Sequence, residues 1–164
     1  MSHESRTATH SATIITNHQL LITGYESPIT AFDTSNELMG IIRAEFSFAN
    51  PAERTLQPIN AQALVDTGAL HLCLPEHMAL QLNLRELEQR EVTLANGHRI
   101  TVPYCGPVEI CFKNRHCFTG AMVMGDEPLL GAIPMEDMDL VVIPSRQTVD
   151  VNPLSPNIPL SMAK

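Results

Sequence analysis

At 164 residues, with 44% hydrophobic and 17% charged, the chain has the size of one domain and enough apolar material to build a core. Trp is absent and aromatics make up only 4%, so the core is expected to be Leu, Ile, Val and Met, and twelve prolines exclude a bundle of long helices. A formal net charge of −8, with ten Lys and Arg scattered singly, excludes a basic nucleic-acid surface.

Met1 to Ala12 is polar, without a basic start followed by an apolar run, which is not the pattern of a secretory signal. No apolar stretch approaches the roughly 20 residues that span a bilayer. The expected location is therefore cytoplasmic, with no membrane partner. Cys73, Cys105, Cys111 and Cys117 are expected as free, buried thiols rather than a disulfide framework.

Residues 1–38 are the least patterned part. Ile14-Ile15 and Leu20-Leu21-Ile22 suit a short hairpin turning near Asn17-His18, and Gly24 to Pro28 suits a loop. Read as an extension ahead of a domain beginning at Met39, the segment fits a disordered arm, an added strand, a removable pro-segment, or a start codon placed too far upstream. Asp33-Thr34-Ser35 reads as a polar turn.

From Gly40 to Phe48 the pattern alternates, with Ile42, Ala44, Phe46 and Phe48 on one face and Ile41, Arg43, Glu45 and Ser47 on the other. That period marks a half-buried strand. Asn50-Pro51 through Pro58 makes a long turn. Ile59 to Val65 is the next strand, and it ends on Asp66-Thr67-Gly68-Ala69. An apolar strand that stops on Asp, a hydroxyl residue and Gly presents a carboxylate at a tight turn. The same residues also suit an ordinary Asx-type turn.

Leu70 to Leu74 predicts a strand, and Pro75 opens a short helix over Glu76 to Leu82, with Met78, Ala79 and Leu82 inward. Arg85 to Arg90 reads as a charged connector. Glu91 to Pro103 predicts a hairpin whose Asn96-Gly97 suits a type I′ turn, and Cys105-Gly106-Pro107 is expected to break the run. Val108 to Phe112 and Cys117 to Met124 follow as strands joined through Asn114-Arg115. After the Gly125-Asp126 turn comes Leu129-Leu130-Gly131, then a short helix over Pro134 to Met138 with Glu136 and Asp137 in its first turn. Leu140 to Ile143 is expected as a last buried strand, and Pro144 onward as an extended tail. The domain is thus placed at residues 39–151, with a Pro-rich C-terminal tail over residues 152–164.

Ala63-Leu64-Val65-Asp66-Thr67-Gly68-Ala69 resembles the active-site strand of the retropepsin-like (retroviral-type) aspartic proteases, apolar-apolar-Asp-Thr/Ser-Gly-Ala. Leu129-Leu130-Gly131 resembles that family's second signature, the apolar-apolar-Gly segment beside the catalytic loop. The hairpin between them stands where the family carries its flap, although its tip, Ala95-Asn96-Gly97-His98, is less glycine-rich than many. The resemblance spans roughly Gly40 to Val151. It implies a mostly-β, closed-barrel-like acid-protease fold with one or two short helices, and it implies aspartic endopeptidase activity. Asp33-Thr34-Ser35 is no second active-site motif on this view, since serine replaces the glycine and no apolar-apolar-Gly follows before Asp66.

Hydrolysis of this class uses two carboxylates that share a proton. One Asp-Thr-Gly per chain therefore implies a two-fold homodimer with Asp66 contributed by each subunit. By resemblance, Thr67 hydrogen-bonds across the two-fold axis, Gly68 keeps its amide near the carboxylates and Ala69 begins the cleft floor. Leu129, Leu130 and Gly131 support the loop, and Leu94, Ala95, Asn96, Gly97 and His98 close over a peptide or protein substrate. No metal or organic cofactor is implied. An alternative from another class is a non-catalytic dimerisation or peptide-binding module, with Asp66 a structural turn. A third is a Cys/His metal protein, built on His71, Cys73 and His77 or on Cys105, Cys111, His116 and Cys117, where small buried hydrophobes are the more ordinary reading of the cysteines.

Overall fold

The structure, a computed structural model, describes residues 41–161. The hairpin expected at residues 14–22, the turn at 33–35 and the 1–38 extension as a whole lie outside the described residues. Along the chain the elements are β1 (Ile42–Ala49), β2 (Ile59–Val65), β3 (Leu72–Leu74), α1 (Glu76–Gln81), β4 (Arg85–Thr93), β5 (Arg99–Phe112), β6 (Arg115–Val123), β7 (Leu129–Leu130), α2 (Ala132–Asp137), β8 (Leu140–Ile143) and β9 (Thr148–Val151).

The alternation read in β1 sets the core. Ile42, Ala44, Phe46 and Phe48 are all buried, while Arg43 and Glu45 between them are exposed. β1 pairs antiparallel with β2 on one side, Ile42 against Val65 through Phe48 against Ile59, and with β5 on the other, Phe48 against Ile110. The strand order β1-β2-β7-β3-β6-β5 therefore returns to β1 and closes a ring of six strands, with β4 attached outside it along β5. Closure leaves no free edge within the ring itself, and β4 becomes the sheet's edge. Leu72, Leu74, Met78, Leu82, Val108, Ile110, Ala121, Leu130 and Met138 fill the interior with Phe46 and Phe48. The fold is mostly β with two short helices, as expected.

Four local expectations need correction. Arg85 to Arg90 is no connector but most of β4. Because β4 lies outside the ring, nearly all of its residues are exposed and no apolar alternation marks it, while its charges suit an edge strand. Cys105-Gly106-Pro107 does not end a strand; β5 runs through it on a register shift between Cys105 and Val108, where proline cannot donate to the ladder. α2 begins at Ala132, so Glu136 and Asp137 fall in its last turn, where the helix dipole disfavours acids. Finally, residues 144–151 are not tail. After a 3₁₀ turn over Pro144–Arg146 and a left-handed Gln147, β9 pairs with the half-buried β8 and places Val149 in the core.

The segment after β9 is fastened at one carboxylate. Asp139, itself left-handed at φ 51, accepts hydrogen bonds from Asn152 Nδ2 at 2.8 Å, from Ser155 Oγ, and from the Leu160 amide at 2.9 Å. Those donors hold its carboxyl down at about 2. The fully buried Arg115 donates from Nη2 to the Ser155 carbonyl and underlies the same segment.

Candidate active site

Asp66 follows β2 without a break. β2 lies parallel to β7, with Leu64 against Leu129 and Val65 against Leu130. Flanking bonds extend this pairing: the Leu64 amide donates to the Pro128 carbonyl at 2.8 Å, and the Asp66 amide donates to the Leu130 carbonyl at 3.1 Å. The carboxylate is thus carried to its turn by a strand pinned to a second, distant segment. The turn then closes on itself, as the Ala69 amide reaches the Asp66 carbonyl at 3.1 Å and the Gly68 amide reaches Asp66 Oδ1 at 2.8 Å. A Cβ at Gly68 would stand 3.0 Å from that oxygen, so glycine lets the amide and the carboxylate meet.

Leu129-Leu130-Gly131 does more than accompany the loop. A Cβ at Gly131 would meet the His71 carbonyl oxygen at 2.5 Å and the Leu70 carbonyl carbon at 2.6 Å. Backbone there passes against backbone with no space for a methyl group. The Ala132 amide then donates to Ala69 at 2.8 Å and the Ile133 amide to Leu70 at 3.0 Å. Residues 66–70 are therefore gripped on both sides by residues 128–133. Leu130 is fully buried beneath them, whereas Asp66, Thr67 and Gly68 are exposed and Ala69 is half-buried.

The hairpin tip is present, with a different turn from the one expected. The Leu94 amide donates to His98 O at 2.8 Å and the Gly97 amide to Leu94 O at 2.8 Å; only Gly97 takes a positive φ, at 81°. Ala95-Asn96-Gly97 is a three-residue loop, a turn followed by a left-handed glycine, rather than a two-residue type I′ turn. Asn96 serves it differently, accepting the His98 amide on Oδ1 at 3.0 Å. Of the tip residues, Ala95 to His98 are exposed and Leu94 is half-buried.

Sequence reasoning passed over Tyr104, which sits at the base of this hairpin. Its hydroxyl accepts the Gly120 amide at 3.2 Å, Arg90 stacks its guanidinium 3.5 Å from the ring centroid, and the His71 ring lies edge-on with centroids 6.4 Å apart. Gly120 makes room for the ring, since a Cβ there would stand 2.4 Å from it. Tyr104 thus joins the hairpin base to the strand that leaves the Asp66 turn. A lone aromatic in a β-branched run carried no signal of this.

The cysteine groupings fare unevenly. Among the described residues, His71, Cys73 and His77 do not form a ligand cluster. All four cysteines are free, with Cys105 and Cys117 buried and Cys73 and Cys111 half-buried. Burial and the neighbouring Asp137 push the Cys117 thiol up to about 12, and burial raises the other three. None is a ready thiolate nucleophile.

The fold is retropepsin-like. It rests on the closed ring and on the parallel pairing of the Asp-Thr-Gly strand with Leu129-Leu130. No family model matches the chain, and no curated protein matches it. Among solved structures the chain is similar to EIAV protease complexed with the inhibitor HBY-793, at 21% identity and TM-score 0.49 over 62% of this chain and 90% of that one. It is also similar to simian foamy virus (mac) protease, at 14% identity and TM-score 0.40 over 56% of this chain and 91% of that one. A third is the retroviral protease-like domain of Ddi1 from Leishmania major, at 10% and TM-score 0.45 over 68% and 90%. No residue role is carried across from any of them. Among the described residues, no helix is long and apolar enough to cross a membrane.

Proposed function

We propose that the chain is an aspartic endopeptidase, active as a two-fold homodimer in which the Asp66 carboxylates of two copies flank one water. The observation that carries this reading is the exposed Asp66 held on a backbone-locked turn, with Oδ1 engaged by the Gly68 amide. Peptide hydrolysis needs a base to take a proton from water and an acid to protonate the carbonyl oxygen. Two carboxylates about 3 Å apart serve both roles, because they cannot ionise together and so share a proton. A copy offering one such turn needs a second. Leu70 and Ile133, exposed and joined through their backbones beside the turn, give that face an apolar rim suited to a partner or a substrate.

In this reading Thr67 bonds across the axis, Gly68 keeps its amide near the carboxylates, Ala69 begins the cleft floor, and the Leu94–His98 tip folds down to exclude water. The substrate is a peptide or protein.

One contact favours a second reading. The bond from Gly68 to Asp66 Oδ1 is also what an Asx turn needs for its own sake, so the loop would persist in a non-catalytic dimerisation or peptide-binding module. Peptide-library cleavage from about pH 4 to about pH 7, alongside sedimentation, separates the two. A dimer that cuts, while Asp66→Asn does not, is the expected result. Cutting by both forms would remove Asp66 from the chemistry, and a dimer that never cuts would favour the binding module.

A further inference from the structure

Away from Asp66, the hairpin of β5 and β6 brings three unlike ligand atoms together. Glu109 and Cys111 are two apart on β5 and so share a face, and His116 is the cross-strand partner of Cys111 on β6. The sequence reading grouped Cys111 with His116 but also with Cys105 and Cys117, and it left out Glu109. The fold buries Cys105 and Cys117 and turns Glu109 toward His116 instead.

His116 Nδ1 lies 3.0 Å from Glu109 Oε1 and 3.2 Å from Cys111 Sγ, and all three ligand atoms fall within 4.8 Å of one another. One ring nitrogen cannot serve both neighbours with a proton. Carrying hydrogen, it serves the carboxylate, and the thiol can turn its own hydrogen to the same carboxylate. Without hydrogen, it takes the thiol proton and sets its lone pair against the carboxylate. No lysine or arginine among the described residues pairs with Glu109; its ion-pair partner is His116. On the other flank, the β1 residues in register are the small Ser47, against Cys111, and Ala49, against Glu109.

We propose that Glu109, Cys111 and His116 form a three-ligand site for a zinc-type divalent cation, with a fourth position open to water. A cation meets all three lone pairs at once, which no single proton does. Thiolate and carboxylate together balance its charge. Metal–sulfur and metal–nitrogen bonds of about 2.3 and 2.0 Å at a tetrahedral angle put sulfur and nitrogen roughly 3.5 Å apart, and nitrogen and oxygen roughly 3.3 Å apart. The present separations reach those values by opening a few tenths of an ångström. Sulfur and imidazole select against calcium and magnesium, which take oxygen ligands. The site sits on paired strands rather than on a loop, and it is independent of the peptidase reading.

The test uses the full, untagged chain, freed of metal with a chelator. Calorimetric titration with Zn²⁺ is expected to give one ion per chain. Substitution of Co²⁺ is expected to give a thiolate-to-metal absorption band that persists in Cys105→Ser and disappears in Cys111→Ser. Glu109→Gln and His116→Asn, on partly exposed positions, are expected to keep the parent melting temperature without metal and to lose Zn²⁺ affinity by about 10–100-fold or more. Absence of stoichiometric zinc in the parent would overturn the proposal. So would zinc affinity and a cobalt band unchanged in Cys111→Ser, which would assign the ion to another cysteine.

Discussion

The Asp66 turn and the Leu94–His98 tip are both short, exposed and built on a glycine, yet they are held in opposite ways. Asp66 to Leu70 is bonded to Leu130, Ala132 and Ile133, residues some sixty positions later, and a Cβ at Gly131 has no space there. Among the described residues the tip is bonded only to itself, and a Cβ at Gly97 would touch nothing within 4 Å. Gly131 is required by crowding, Gly97 by its φ of 81°. One loop is fixed by distant parts of the fold, as the proposed chemistry at Asp66 requires; the other is held by its own short-range bonds.

The largest effect expected concerns what the fixed loop carries. Asp66→Asn should lower peptide cleavage by about 10²–10⁴-fold while leaving the melting curve in place, because the amide oxygen still accepts the Gly68 N–H. Unimpaired cleavage would break the assignment. Next, Gly131→Ala should destabilise the whole domain by about 1–3 kcal/mol or more in chemical denaturation, since its methyl meets backbone that cannot step aside. An unchanged midpoint would mean that residues 66–71 and 128–133 do not depend on this close backbone contact.

At the tip, Gly97→Ala forces a left-handed alanine and should cost only about 1 kcal/mol, with Gly97→Asn milder. Hydrogen exchange should quicken at residues 94–98 alone. A global loss matching that of Gly131→Ala would erase the contrast.

The smallest effect should come from Asp139. Its folded value, about 2, lies below the ordinary 3.8, so it contributes stability fully above about pH 4 and loses it as pH falls toward 2. Asp139→Asn should flatten that part of the profile of melting temperature against pH. A parent profile already flat between about pH 4 and about pH 2 would deny the carboxylate its role in fastening residues 152–160.

What was legible in the sequence follows the same division. β1 and β2 could be read because each buries one face, and period-two alternation reports that. The Asp66 turn and Leu129-Leu130-Gly131 were visible as motifs, though nothing local says that they grip each other through sixty residues of intervening chain. β4 was missed because a strand outside the ring has no buried face to imprint a pattern. β9 was missed because prolines on both sides looked like a tail, while its one fully inward residue, Val149, is too little to show a period. Glu109 was missed because acids are common on strands and His116, which it faces, lies across a hairpin.

The packing of Gly131 against Leu70 and His71 bears on when the geometry of the proposed catalytic turn is decided. Bringing a reactive group into position at the moment of reaction costs entropy that raises the barrier. Here that ordering is done during folding, by main-chain atoms in contact, before a partner or peptide arrives. Under the proposed peptidase reading, a carboxylate so placed enters the encounter preorganised, and the ordering left for binding is expected at the hairpin tip.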